Sequence, residues 1–339
     1  MKTKKTFIIA EAGVNHNGSL KKAIELVDIA KKSGADAVKF QLYKIEEKIS
    51  KIAFIHQYQK KHVGNQSMKE MAKKYDLDWE KHKIIKNYCK KKKIKYMSSV
   101  TDKKSADFLF HELNTKIFKI SSGEITNLEL LKYCAKKNAP IILSTGMSNE
   151  KEIANAVTSI KKISKKELYL LHCISLYPTP TEVLNLNYIN TLKKKFRCQV
   201  GFSDHSEGYL ASCVAVALGA TIIEKHFTIN KKLPGPDHAM SLNPNELKLF
   251  VRKIRDTEKI LGKNTKKISS AEKDMIKIAR RGIITIKPIK KGDLFTRENI
   301  SIMRPCLGLG ANEINNILGK KSSKHIKDST PISYSMIEK

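Results

Sequence analysis

The chain has no CxxC pair and no apolar run approaching the length of a membrane span. Its six cysteines (Cys89, Cys134, Cys173, Cys198, Cys213 and Cys306) are scattered through 339 residues. That scatter argues against a disulfide scaffold or a cysteine-ligated zinc module, and suits reduced, mostly buried thiols. A spanning helix needs about 20 apolar residues in succession, and nothing here offers them. The opening MKTKKTFIIAEAGVNH has the lysines and apolar run of a signal peptide, but Glu11 interrupts that run. A secretory apolar region is longer, so the stretch reads as a first strand. The protein is expected to be cytoplasmic, with no membrane partner.

Arginine and aromatic residues are also scarce. Only seven of the 65 basic residues are arginine, and aromatics make up 7% of the chain. Nucleic-acid readers lean on arginine forks and aromatic platforms. The net charge of +32 therefore reads as lysine-coated helix surfaces, without a nucleic-acid partner. Such a field still favours an anionic substrate.

What the chain does have is a rhythm. Eight short apolar segments recur: Phe7–Ala10, Ala37–Phe40, Lys95–Met97, Ile117–Ile120, Pro140–Leu143, Leu168–Leu171, Gln199–Phe202 and Thr221–Lys225. Helical stretches separate them. Leu20–Ser33 places Leu20, Ala23, Ile24, Val27 and Ala30 at helical spacing, with Ser19 as N-cap and Gly34 as stop. Asn127–Lys137 and Asn149–Lys162 repeat the pattern, and a long helical stretch, Asn245–Leu261, closes the series. Strand–helix alternation taken eight times predicts a (β/α)8 TIM barrel, a fold of about 250 residues, over residues 1–262. Residues 263–277 are polar and lysine-rich and read as a linker. From Ile278 the pattern turns to short β-type runs, a mostly-β domain over 278–339 that is small for a self-sufficient core.

Each apolar segment ends in a chemically useful group: Glu11, Lys39 and Gln41, Ser98 and Ser99, Lys119 with Ser122, Ser144, His172, Ser203 with His205, Glu224 with His226. In a barrel these ends meet on the active face. Side chains alternate along a strand, so Glu224 and His226 face one way and Lys225 the other, while Ser203 and His205 share a side. Two imidazoles at neighbouring strand ends, with Asp204, Glu224 and Asp237 near them, suit a divalent metal with open positions. Structural histidines are also common at strand ends, and the rest of the mouth must decide between the readings. Lys39 and Lys119 beside the hydroxyls of Ser122, Ser144 and Ser203 suit a phosphate or carboxylate. Ser121-Ser122-Gly123 and Ser144-Thr145-Gly146 are small enough for backbone N–H groups to approach it. Lys119 has a second reading as a Schiff-base former, as in aldolases.

The phrases IIAEAGVNHNGS, AVKFQ, FKISSGEITN, IILSTGM, YPTP, GFSDH, GATIIEKHFT and GPDHAMSLNP resemble the sialic acid synthase family and stand in that family's order. IKKGDLFTRENISIMRP looks like its SAF (antifreeze-like) domain. The resemblance covers nearly the whole chain. It implies a metal-dependent condensation: C3 of phosphoenolpyruvate adds to the aldehyde of an open-chain N-acetylated amino sugar, water attacks C2, and phosphate leaves by C–O cleavage. His205 and His226 would hold Mn2+, with Mg2+ or Co2+ as other candidates. Lys39, Lys119, Ser122, Ser144 and Ser203 match positions that bind phosphoenolpyruvate. Glu11 matches the acidic residue that handles protons near C3 or the attacking water. Gln41, Glu124, Tyr177 and Asp237 match the sugar side. Arg304 matches an SAF arginine that reaches a neighbouring subunit's mouth, which implies a homodimer with swapped SAF domains.

The chain departs from the family pattern in two places. It reads SSVTD where STPF is common, and Ile174-Ser175 replaces a more usual Thr-Asn or Thr-Thr. His238 and Glu124–Asn127 look more like the legionaminic than the neuraminic branch. Besides the aldolase, the same sequence would fit a third class, a non-enzymatic binder that uses the SAF domain as an interaction module.

Overall fold

The structure, a computed structural model, describes residues 5–50, 52–55, 60, 63–64 and 66–338. It divides into two compact units, Met1–Gly262 and Lys263–Lys339.

In chain order the first unit begins with β1 (Phe7–Gly13), α1 (Leu20–Lys32), β2 (Ala37–Leu42), α2 (Ile45–Lys48), α3 (Met68–Tyr75), α4 (Trp79–Lys92) and β3 (Lys95–Val100). It continues through α5 (Lys103–Asp107), β4 (Phe118–Ile120), α6 (Leu128–Lys136), β5 (Ile141–Ser144), α7 (Glu150–Lys161) and β6 (Leu168–Cys173). The last part is α8 (Tyr188–Phe196), β7 (Gln199–Asp204), α9 (Leu210–Ala217), β8 (Ile222–His226) and α10 (Pro244–Leu261). All eight strands are parallel neighbours, and β1 pairs with β8 to close the barrel. The expected (β/α)8 architecture is the one observed.

Local chemistry explains the helix limits. The Ser19 hydroxyl accepts from Lys22 N to start α1, and Lys31 and Lys32 sit in its last turn, where the helix dipole favours cations. Asn149 with Glu152, and Asn243 with Glu246, form reciprocal capping boxes on α7 and α10. The buried faces of these helices pack on the outward residues of the strands to form the main core.

Inside the barrel a smaller core of Ile9, Ala37, Met97, Ile142, Leu171 and Ile222 plugs the lower half. At the corresponding level of β7 a side chain would not fit. A Cβ on Gly201 would lie 2.4 Å from Ile222 O and 2.6 Å from Leu171 Cδ2. Two residues further along each strand the inward side chain turns polar: Glu11, Lys39, Ser99, Ser144, Cys173, Ser203 and Glu224. One pleat period thus separates the dry plug from the reactive mouth. The strands run past their last apolar residue, so the polar groups belong to the strands and not to the loops after them.

Three sequence expectations need correcting here. Ser98, His172 and Asp204 point outward. Ser98 Oγ donates to Phe40 O at 3.2 Å, and the ring of His172 stacks on Phe202 with Nε2 2.7 Å from Leu184 O. Asp204 bonds behind the barrel wall. Each lies one residue off the inward register, and alternation removes it from the mouth.

In the second unit, part of the stretch read as linker is helix α11 (Ser270–Ala279), opened by a Ser269–Glu272 capping box. Antiparallel β9 (Gly282–Thr285) and β10 (Ile300–Met303) follow, then the short α12 (Ile314–Ile317). Eight isoleucines and Phe295 form this unit's own core.

Candidate active site

The polar layer opens into a chamber of about 600 Å³ at the C-terminal end of the barrel strands. Its floor holds two buried carboxylates and two buried ammonium groups. Lys39 Nζ lies 2.7 Å from Glu11 Oε2 and 3.7 Å from Glu224 Oε2. Lys119 Nζ lies 3.6 Å from Glu224 Oε1 and donates to Ser144 Oγ at 2.8 Å. Glu224 also accepts from Ser203 Oγ at 3.3 Å. The two lysines therefore open on one mouth, joined by Glu224, a residue the sequence reading placed only near a metal.

Burial and the neighbouring charges together set the protonation of this cluster. Burial pushes the Glu11 carboxyl up to about 7, although Lys39 works against the rise. Burial opposes the Lys39 ammonium too, but Glu11 and Glu224 outweigh it and its pKa is raised. Lys119 is lowered, mainly by burial. Glu224 faces two ammoniums, which overcome burial and hold it below the ordinary carboxylate range. The floor is a nearly neutral, strongly polarised surface with one proton in play at neutral pH.

Above it stand His205 and His226, ring centroids 5.6 Å apart. His205 Nδ1 lies 2.8 Å from Ile174 O, so its N–H donates there and the other ring nitrogen is left for a ligand. The Tyr177 ring packs 4.2 Å from His205 and 6.3 Å from His226. Burial and the neighbouring His205 hold His226 well below the usual imidazole value, as a neutral donor. Its Nδ1 is buried with no hydrogen-bond partner. Among the described residues no cluster of three or more His, Cys, Asp or Glu could hold a metal, so any ion here would rest on two imidazoles plus oxygens from water or substrate.

The loops after β4 and β5 complete the anion side. Gly146 N donates to Ser122 Oγ at 3.0 Å, and a Cβ at Gly146 would lie 2.5 Å from Ser175 Oγ. A side chain there would have to displace the Ser175 and Ser122 hydroxyls. Cys173, which the sequence reading did not place in the mouth, lines the chamber, with Sγ 3.9 Å from His205 Nδ1. Its i, i+2 relation to Leu171 is the signal that would have found it.

A second chamber of about 490 Å³ shares Gln41, Lys48, Met147, Tyr177 and His226 with the first. Val14, Ile49, Met68, Met71 and Ala72 make it largely apolar, and Asp237 stands in its wall. Burial raises Asp237 to about 6. Its loop is clamped: Ser241 Oγ donates to Asp237 O at 2.6 Å, Asn17 Nδ2 donates to Pro234 O at 2.8 Å, and His238 bridges Thr228 and Asn17. Glu124 lies outside both linings, half-exposed and bonded by Asn127. Arg304 is an exposed residue of the second unit.

Comparison with known proteins agrees with this geometry. The model of the NeuB family matches residues 26–266, and that of the SAF domain matches 280–338. An N,N'-diacetyllegionaminic acid synthase of Campylobacter jejuni is 46% identical over 328 residues, covering 96% of this chain and 98% of its own. A protein of the same description from Legionella pneumophila is 42% identical, covering 98% of this chain and 94% of its own. Among solved structures, the N-acetylneuraminic acid (sialic acid) synthetase of Leptospira borgpetersenii in complex with citrate superposes with a TM-score of 0.71. It is 35% identical, and the match covers 80% of this chain and 90% of that one. With a polar barrel mouth of this design and a family match over most of its length, the chain belongs to the NeuB family and carries an SAF domain at its C-terminal end.

Proposed function

We propose that this protein condenses phosphoenolpyruvate with 2,4-diacetamido-2,4,6-trideoxymannose and water, giving N,N'-diacetyllegionaminate and phosphate. One observation carries the reading: two buried lysines and two buried glutamates share one floor beneath a pair of imidazoles. A trianionic substrate needs the lysines. A reaction that moves protons at neutral pH needs a carboxyl poised like Glu11.

In this reading Lys39 and Lys119, with Ser122, Ser144 and Ser203, hold the phosphate and carboxylate of phosphoenolpyruvate. The C3–C1 bond forms as the enol's electron pair attacks the aldehyde. Water adds to C2 and gives up its protons, one to the new hydroxyl at the former aldehyde oxygen and one to the departing phosphate. Glu11, beside the position of C3, relays a proton given up by the attacking water. His205 and His226 suit a divalent ion, since Ile174 O fixes one imidazole and burial keeps the other neutral. When bound, an ion such as Mn2+ supplies Lewis-acid polarisation of the aldehyde.

The apolar second chamber favours a sugar rich in methyl groups, with a C6 methyl and two acetamido groups, over one with a 6-hydroxyl and a single acetamide. Gln41, Tyr177 and Asp237 read its polar edge, and Glu124 is assigned to the rim. Arg304 is assigned to the mouth of a second copy, in a homodimer with exchanged SAF domains. A cytoplasmic setting fits six free cysteines and the lack, among the described residues, of any helix long and apolar enough to cross a membrane.

The test is phosphate release with Mn2+, phosphoenolpyruvate and either sugar. The expected outcome is a kcat/KM for the diacetamido sugar at least tenfold above that for N-acetylmannosamine, abolished by EDTA and restored by Mn2+. Equal use of both sugars would sink the sugar assignment, and full activity after EDTA would sink the metal. A borohydride-trapped pyruvate adduct on Lys119 would move the enzyme to the aldolases.

A further inference from the structure

On the helix-facing side of β7 and β8, behind the mouth, lies a buried charge pair that no step of the proposed reaction uses. Asp204 and Lys225 are partners in the β7–β8 ladder, and they are only 1% and 2% exposed. Lys225 Nζ lies 3.1 Å from Asp204 Oδ2 and also donates to the carbonyl oxygen of Ser206. Asp204 Oδ1 accepts from the backbone N–H of Ser206 at 2.8 Å and from its hydroxyl at 2.6 Å. Oδ2 accepts from the hydroxyl of Ser212, on α9, at 2.6 Å.

Each member of the pair is followed in sequence by an imidazole: His205 after Asp204, and His226 after Lys225. Alternation turns the ion pair toward the helices and the imidazoles toward the chamber. Packing alone does not call for charges here, because the preceding ladder partners on the same outer face are Phe202 and Ile223. Burying an ion pair costs desolvation, and its best-attested return is specification of register. A slip of either strand by one residue would turn its imidazole out of the mouth. The bonds are placed to prevent it: Asp204 and Ser206, on either side of His205, are both tied to Lys225, the residue before His226.

We infer that Asp204 and Lys225 are positioning residues that set the spacing of the two imidazoles and thereby the affinity for a divalent cation. The inference rests on the metal reading above. Neither residue lines either chamber, so the effect belongs to metal binding and leaves the phosphoenolpyruvate floor intact.

The experiment titrates Mn2+ into the metal-free full-length protein, following free Mn2+ by electron paramagnetic resonance. Phosphoenolpyruvate affinity is measured in parallel by calorimetry in EDTA. Lys225→Met should weaken Mn2+ binding about 10–100-fold, as is usual when a group supporting a ligand is lost, and change phosphoenolpyruvate affinity less than threefold. Asp204→Asn/Lys225→Met removes both charges, leaves no buried ion unpaired, and should show the same selective loss. If Lys225→Met fails to fold, the double variant carries the test. If that also fails, Ser212→Ala, which removes one bond to Asp204, should weaken Mn2+ several-fold and leave phosphoenolpyruvate binding unchanged. Folded variants that bind Mn2+ like the wild type overturn the inference, as do variants that lose both ligands in equal proportion. A wild-type protein that binds no Mn2+ overturns the metal reading itself, and the inference with it.

Discussion

Glu11 is the residue whose chemistry the surroundings control most. Its carboxyl is raised to about 7 by burial, with Lys39 pulling the other way. Phosphoenolpyruvate brings negative charge onto Lys39 and Lys119, which weakens their hold on the carboxylates and favours protonated Glu11. Binding should therefore take up a proton near pH 7. Calorimetry in two buffers of different ionisation enthalpy should show uptake of about half a proton, absent in Glu11→Gln. Release of a proton, or none exchanged by the wild type, would contradict this account. Lys39 and Lys119 were legible in the sequence as polar ends of apolar strands. Ser98, His172 and Asp204 carried the same signal and were misplaced, because strand boundaries read from composition leave the facing of the last residues open by one position. Glu224 was legible as a carboxylate, but its bridging of the two ammoniums depends on barrel closure, which no local pattern displays.

At the scale of elements, the sequence revealed the alternation of strand and helix, and the cap at Ser19 marked the start of α1. How the last helix is fastened was hidden, since the partners lie more than 200 residues apart. Arg255 on α10 donates to Asp36 Oδ2 at 2.6 Å and to Thr6 O at 2.8 Å. Glu258 accepts from Thr6 N at 2.6 Å, and Asp36 Oδ2 also accepts from Ile8 N at 2.9 Å. This clasp ties α10 to the starts of both β1 and β2. Burial works against the Asp36 carboxylate, but the Ile8 N–H, Lys5 and Arg255 prevail and hold its pKa below the ordinary 3.8. A depressed carboxyl contributes stability above its unfolded pKa and loses it as pH falls through the folded value. Arg255→Met should cost about 1–3 kcal/mol at pH 7, lowering Tm by several degrees. The gap from wild type should be smaller at pH 3, below the ordinary carboxyl value, than at pH 7, because the contribution of Asp36 fades as pH falls through its folded pKa. Thermal melts at both pH values test this, and a gap constant with pH would remove Asp36 from the account.

For the whole molecule, the net charge of +32 is not concentrated at the floor of the mouth, where Glu11 and Glu224 offset Lys39 and Lys119. The surplus lies on the helix surfaces, where it attracts an anionic substrate over distance. The second unit has its own isoleucine core, so it does not need the barrel to supply apolar contacts. It can then present Arg304 to another chain. In the exchanged dimer proposed above, each complete site would take His226 from one chain and Arg304 from the other. His226→Ala and Arg304→Ala should each be nearly inactive at low sugar concentration. When the two are refolded together, half of the dimers should be mixed, and each of those should contain one site with both groups intact. Activity should therefore return to about a quarter of the wild-type value per chain, as a symmetric dimer with random pairing requires. If Arg304 instead serves its own barrel, every site in the mixture retains one defect and no activity returns. That outcome would end the exchanged-domain proposal while leaving the chemistry of the mouth untouched.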